Sequence, residues 1–135
     1  MIHVGLLAFF SSIPALPGSL EFRELNAAST HSVHHLLSHA YVSSSDGALR
    51  LAYKRDFIRW LLATEGSIQL GVVERDTSKL VGYVCALGCR VHSEADEIDG
   101  VEVTMLCVRP EWRRLGITKA LIFELRSRAL ARGVQ

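Results

Sequence analysis

Excess charge of one sign, proline and long apolar runs are all scarce in this sequence of 135 residues. Its 15 Lys and Arg residues stand against 14 Asp and Glu residues, and the net charge of +1 lacks the basic excess with which proteins coat nucleic acid. The presence of only 3 prolines and 10 glycines excludes a collagen-like or low-complexity chain. No apolar stretch approaches the length of a membrane-spanning helix, so we expect no stable membrane insertion.

Cysteine is also rare, and no metal site is predicted. The 3 cysteines are an odd number, and their spacing does not supply the paired ligands of a zinc site. Four histidines between His31 and His39 share a helix face, but no carboxylate or cysteine completes a ligand set there. The apolar run at 4–10 has no Lys or Arg before it and no small-residue cleavage site after it, so a signal peptide is not predicted. We therefore expect a cytoplasmic protein with free thiols.

What the sequence contains is apolar residues, 49% of the total, arranged with the periods of strands and helices. Residues 1–15 are typical of an irregular leader, and residues 16–135 of one domain. The periods predict a strand at Glu21–Leu25, a helix from Ser29 or Thr30 to about His39, a helix from about Lys54 to Ala63, strands at Ile68–Glu74, Lys79–Leu87 and Val101–Val108, and a helix from Ile117 to about Arg132. This β-α-α-β-β-β-α order indicates the α/β (α+β) class.

The sequence also predicts two turns and the buried face of the second helix. The composition of Arg75–Ser78 predicts a hairpin turn, and that of Ser93–Gly100 an acidic turn before the last strand. Trp60 is expected in the core together with four residues of the second helix, namely Phe57, Ile58, Leu61 and Leu62.

The segment from Val108 to Leu121 carries the chemistry. A strand ends there, Pro110 breaks it, and a basic turn with a glycine opens a helix. The backbone N–H groups and the positive dipole end at a helix N-terminus bind phosphate oxygens. Gly116 allows a close approach of the backbone to such a ligand, because it has no Cβ. Four cations surround this point, which favours a cofactor bearing a pyrophosphate: Arg109, Arg113, Arg114 and Lys119.

The pattern V-x-P-E-x-R-x-x-G-I-x-x-A-L closely resembles the acyl-CoA-binding motif of the GCN5-related N-acetyltransferase fold. In that motif a glycine or alanine is usual at the position of Thr118. The resemblance implies that backbone amides from about Arg114 to Lys119, including those of Leu115 and Ile117, hold the pyrophosphate of an acyl-CoA.

A narrower resemblance, to the protein N-myristoyltransferases, covers residues 16–135. No single motif carries it, because the agreement is spread in order over many segments. Those that agree with the family are Leu16–Phe22, Tyr41–Asp46, Leu49–Tyr53, Asp56-Phe57, Trp60–Leu62, Lys79–Gly82 and Glu102–Val108. The resemblance implies the N-terminal portion of an acyl-CoA N-acyltransferase domain, with a mixed, mostly antiparallel sheet flanked by helices on both faces.

The same resemblance implies a set of site residues. It puts the thioester carbonyl against the backbone amides of Met105 and Leu106 as an oxyanion hole, with Cys107 and Val108 beside the cofactor. Glu102 lies where many acetyltransferases place a base that acts through water, although a structural glutamate on a strand is an equally good interpretation. Five residues are implied to face the substrate peptide: Tyr41, Val42, Asp46, Arg50 and Tyr53.

The function that the family implies is transfer of myristate from myristoyl-CoA to the N-terminal glycine of proteins. Two alternatives stay open: an N-acetyltransferase that uses acetyl-CoA, favoured by Gly116 and by the serines at 43–45 in place of acidic residues, and a non-catalytic acyl-CoA-binding or interaction module. In the family, the peptide-binding half and the C-terminal carboxylate that acts as base lie beyond the part matched here. We therefore expect the 135-residue chain to be inactive, as a fragment or a degenerate remnant.

Overall fold

The computed structural model describes residues 15–40 and 52–133. The strands are β1 (Leu20–Glu24), β2 (Ile68–Glu74), β3 (Leu80–His92) and β4 (Glu97–Val108), and the α-helices are α1 (Thr30–Ala40), α2 (Arg55–Leu62) and α3 (Ile117–Ala131). Short 3-10 turns at Ala27–Ser29 and Pro110–Trp112 precede α1 and follow β4. The predicted order of strands and helices is confirmed. In this part of the chain, no helix is long and apolar enough to cross a membrane.

The four described strands form one sheet in the order β1-β2-β3-β4, and every neighbouring pair is antiparallel. Phe22 pairs with Val72, and Leu70 pairs with Val84. The predicted turn between β2 and β3 is present, and Ser78 there adopts a left-handed backbone with a φ of 59°. The β2–β3 and β3–β4 pairs are joined by short hairpin connections, whereas the connection from β1 to β2 contains α1 and α2.

Helices cover both faces of this sheet. One face packs against α1 and α2 in a core cluster that includes Val33, Leu36, Ile58, Leu61, Tyr83, Cys85 and Cys107. The opposite face packs against α3 in a second cluster that includes Val72, Val84, Ala86, Ile117, Leu121 and Leu125. Neighbouring residues of β3 alternate between the two clusters, as the period of a strand buried on both sides dictates.

The assignment of Phe57 and Trp60 to the core is wrong. Helix α2 has only eight residues, and its buried stripe consists of Ile58, Leu61 and Leu62. At 100° per residue, Trp60 falls opposite this stripe and Phe57 at its border. Their side chains are accordingly 63% and 39% exposed, and their rings pack against each other with centroids 5.9 Å apart.

Two element boundaries also differ from the prediction. The first helix is preceded by the 3-10 turn, whose cap is Asn26 rather than Ser29 or Thr30, because the Asn26 side chain accepts from the Ala28 N–H at 2.9 Å. Strands β3 and β4 continue to the pair His92 and Glu97, so the predicted acidic turn is shortened to residues 93–96. Cross-strand ion pairs from Arg90 to Glu97 and Asp99 accommodate the acidic residues within the strand.

Candidate functional site

A β-bulge interrupts β4 where the oxyanion hole is expected. Tyr83 pairs with Cys107 and Cys85 with Thr104, so Met105 and Leu106 together lie opposite the single residue between Tyr83 and Cys85. Met105 has a left-handed backbone with a φ of 60°, although its side chain is buried in the cluster under α1 and α2. A bulge leaves its extra residue out of the hydrogen-bond ladder. A left-handed conformation costs a residue other than glycine about 1–2 kcal/mol, so the surrounding packing must hold it.

The turn after β4 ends at an uncapped helix N-terminus. Arg114 and Gly116 both have left-handed backbones, with φ values of 66° and 79°. No side chain caps α3 at Gly116, and the first helical bond runs from the Ala120 N–H to the Gly116 carbonyl at 3.0 Å. The amides of Ile117 and Thr118 therefore have no acceptor within the helix. A Cβ added at Gly116 would meet nothing within 4 Å, so the space in front of this turn is open.

Two of the four predicted cations hold the backbone in place. Arg113 donates from Nε to the Val108 carbonyl at 3.0 Å and from Nη2 to the Ala40 carbonyl at 2.8 Å. Arg109 donates from Nε to the Leu80 carbonyl at 2.7 Å. These contacts fix the start of the turn against the neighbouring strand and against the end of α1.

The other two cations of the turn, Arg114 and Lys119, are exposed. Within the described ranges, Arg114 makes no hydrogen bond or ion pair, so its guanidinium is available to a ligand. A histidine of α1 reaches the same region, because Nδ1 of His35 lies 3.3 Å from Nη2 of Arg109. Partial desolvation of the ring, and next the charges of His39 and Arg109, lower the pKa of His35, which favours the neutral imidazole as the partner of this guanidinium.

Cys107 lies beside the bulge, in an environment that disfavours a nucleophilic thiolate. Its side chain is buried, and burial raises the pKa of the thiol to about 11, against the opposing effect of the Arg113 and Arg109 charges. The reactive form of cysteine is the thiolate, which is scarce at neutral pH with such a pKa. The thiol of Cys107 therefore contributes packing to this part of the site.

Glu102 is exposed on β4 opposite Leu87, and it makes no ion pair within the described part of the chain. Met105 lies three positions further along the strand, a distance of about 10 Å. A carboxylate at that distance reaches a reacting amine only through water or through a displacement of the substrate.

Of the five residues implied to face a peptide, the structure describes Tyr53. Its half-buried ring stacks on Phe57 with centroids 5.5 Å apart, and its carbonyl lies 3.1 Å from Nε2 of His34. The other four, Tyr41, Val42, Asp46 and Arg50, lie outside the described residues.

Sequence reasoning missed the buried polar group next to this site. Gln69 is 3% exposed, and its Nε2 donates to the Leu61 carbonyl at 3.0 Å while its Oε1 accepts from the Tyr83 hydroxyl. The available signal was a glutamine within the apolar run at 68–73. The bond from Arg113 to Ala40 had no such signal, because 73 positions separate the two residues in the chain.

A sheet covered on both faces, with a bulged fourth strand and an uncapped helix N-terminus after the turn that follows it, is the fold of the acyl-CoA N-acyltransferases. Within that class, the family model described as "Myristoyl-CoA:protein N-myristoyltransferase, N-terminal domain" matches residues 8–135. The chain belongs to the N-myristoyltransferase family.

Individual relatives agree with this assignment. The glycylpeptide N-tetradecanoyltransferase of Candida glabrata is 32% identical over an alignment of 102 residues that covers 73% of this chain and 23% of that enzyme. A crystal structure of Saccharomyces cerevisiae N-myristoyltransferase with bound myristoyl-CoA matches with a TM-score of 0.78 and 25% identity, over 93% of this chain and 30% of the yeast one. Arabidopsis thaliana NAA60 in complex with a bisubstrate analogue shares the fold, with a TM-score of 0.63 and 18% identity over 82% of this chain and 67% of that chain. This chain thus spans about a quarter of the length of the Candida enzyme.

Proposed function

We propose that this chain forms the acyl-CoA-binding part of an enzyme that transfers myristate from myristoyl-CoA to the N-terminal glycine of proteins. The observation that carries the proposal is the position of the left-handed bulge at Met105 just before the uncapped N-terminus of α3 at Gly116. The bulge suits the thioester of an acyl-CoA, and the helix N-terminus suits the pyrophosphate of the same ligand.

The pyrophosphate is held by the turn. Backbone amides from Arg114 to Thr118 and the positive end of the α3 dipole receive its oxygens. The open space at Gly116 supports this role, because nothing there obstructs a ligand. The charges of Arg113, Arg114 and Lys119 add to the positive potential at the same point.

The thioester is held by the bulge, with Cys107 and Val108 beside it. The amides of Met105 and Leu106 donate to the thioester oxygen as the glycine amine attacks the carbonyl carbon. The new C–N bond forms, the C–S bond breaks, and CoA leaves as a thiolate that takes up a proton. A donor held in place in this way contributes about 10²–10³-fold to the rate.

The attacking amine must lose a proton to a base, for which there are two candidates. The resemblance to the family assigns this role to a C-terminal carboxylate. Glu102 is the candidate within this chain, acting through water along β4. Its exposure and its distance of about 10 Å from Met105 favour the first assignment.

Binding of acyl-CoAs to the 135-residue chain tests the proposal by calorimetric titration. We expect myristoyl-CoA to bind more tightly than acetyl-CoA or free CoA. Tighter binding of acetyl-CoA would favour the acetyltransferase alternative, which the glycine at the left-handed start of α3 supports. A non-catalytic module predicts binding of myristoyl-CoA with no transfer to any glycine peptide by a full-length protein that includes this domain. Absence of binding for all three ligands would overturn the proposal.

A further inference from the structure

Arg113 donates to three backbone carbonyls, one of which, that of Ala40, lies 73 positions away in the sequence. Its guanidinium donates to the carbonyls of Val108 and Ala40 at 3.0 and 2.8 Å, and its backbone N–H donates to the Pro110 carbonyl at 3.2 Å. Val108 is the last residue of β4, and Ala40 is the last residue of α1. One side chain thus spans from the end of the bulged strand to the end of a helix packed on the sheet.

The two acceptors are of the kind that a cation stabilises. The last carbonyls of a helix have no donor within the helix and carry partial negative charge, which applies to Ala40. Both Ala40 and Val108 are buried, so their carbonyls would be left without this donor if Arg113 turned outward. A guanidinium suits this task because its N–H groups form a rigid fork, which a lysine ammonium lacks.

We infer that Arg113 is a positioning residue: it sets the shape of the turn that receives the pyrophosphate and links that turn to the C-terminal end of α1. The role rests on the proposed function for its ligand, but the link itself exists in the ligand-free protein. The neighbouring Arg114, which is exposed and makes no hydrogen bond within the described ranges, is the better candidate for direct contact with phosphate.

The link has a consequence for the last turn of α1, which ends at Ala40. Occupation of the turn by acyl-CoA should therefore restrain the last turn of α1 through Arg113. Hydrogen exchange of the amides in Leu36–Ala40 reports this restraint directly.

The test compares Arg113→Lys and Arg113→Gln with the matched control Arg132→Lys. Arg132 also donates at two points, to the Ser67 carbonyl at 3.0 Å and to Glu24 at 2.8 Å, but at the opposite end of α3. In the ligand-free protein we expect exchange at 36–40 to become about tenfold faster in both Arg113 variants and to stay at the wild-type rate in Arg132→Lys. Myristoyl-CoA should slow this exchange in the wild type and in Arg132→Lys only.

Affinity separates positioning from direct phosphate contact. We expect both Arg113 variants to bind myristoyl-CoA about tenfold more weakly, because neither replacement restores the fork, and we expect Arg113→Lys, which keeps the charge, to retain the salt dependence of the wild type. Wild-type affinity in Arg113→Lys, together with a weaker salt dependence in Arg113→Gln, would identify Arg113 as a phosphate ligand and overturn the inference. Unchanged ligand-free exchange in Arg113→Lys would also overturn it. Failure of the wild type to bind any acyl-CoA would instead overturn the proposed function, leaving the ligand-free exchange to decide the link.

Discussion

The hydroxyl of Tyr83 donates a hydrogen bond to Oε1 of Gln69 across two neighbouring strands, and both side chains are buried beneath α2. The other end of the Gln69 amide donates to the Leu61 carbonyl, in the last turn of α2. This pair connects β2, β3 and α2 through one satisfied polar group in an apolar layer. Such a group fixes the position of the helix on the sheet, because a displacement of α2 along the strands would leave a buried donor or acceptor unpaired.

Tyr83→Phe should therefore destabilise the protein by about 1–3 kcal/mol, since it leaves the side-chain oxygen Oε1 of Gln69 without its donor. Chemical denaturation measures the change in the free energy of unfolding. Phe22→Leu, at a half-buried position on the same sheet that lacks a polar group, is the control and should cost less. Equal stability of Tyr83→Phe and the wild type would show that the hydroxyl is not needed to satisfy Gln69.

The order of strands and helices was predictable because it is written locally, in periods of 2 and 3.6 residues. The residues of the core were less predictable. Helix α2 has apolar or aromatic residues on most of its surface, and only the tertiary packing decides that Trp60 faces outward. A methionine carries no signal for a left-handed backbone, so the bulge at Met105 was not predicted, and the family resemblance implied only that the Met105 and Leu106 amides face the thioester. Contacts between distant segments, such as Arg113 with Ala40, have no local pattern at all.

Gly116→Ala should separate the ligand-binding role of this glycine from its conformational role. An alanine at a φ of 79° costs about 1–2 kcal/mol of stability. Gly66→Ala is a matched control, because Gly66 has a φ of 74° and equally open space but lies before β2, away from the turn. We expect similar losses of stability in both variants, measured by denaturation, and weaker binding of myristoyl-CoA in Gly116→Ala alone. Similar affinities of the two variants would remove Gly116 from the site.

The thiol of Cys107 should make the protein sensitive to alkali. Because burial raises its pKa to about 11 in the folded protein, the unfolded chain loses this proton at lower pH. The stability that the neutral thiol supports is thus complete below the ordinary cysteine value of about 8.5 and is lost as the pH rises towards 11, with a slope of at most about 1.4 kcal/mol per pH unit.

Cys107→Ala removes this titration. Its free energy of unfolding should fall less steeply than that of the wild type over the same pH interval, whatever its stability at neutral pH. Cys89→Ala, which changes a half-exposed thiol, serves as the comparison. Parallel pH profiles for the wild type and Cys107→Ala would contradict the assignment.

The bulge offers the most direct test of the proposed oxyanion hole in β4. Met105→Ile keeps a large apolar side chain but is β-branched, and such residues strongly resist the left-handed backbone that Met105 adopts at a φ of 60°. Met105→Gly has no such resistance and should keep the bulge, at the cost of the buried side chain. If the Met105 and Leu106 amides hold the thioester oxygen, Met105→Ile should bind myristoyl-CoA more weakly than the wild type. Met105→Gly should keep the wild-type affinity for myristoyl-CoA. Free CoA, which has no thioester, should bind equally well to the two variants. Leu106→Ile, one residue further along the strand, controls for the branched side chain. Equal discrimination between myristoyl-CoA and free CoA in the Ile and Gly variants would mean that the bulge does not position those amides for the ligand.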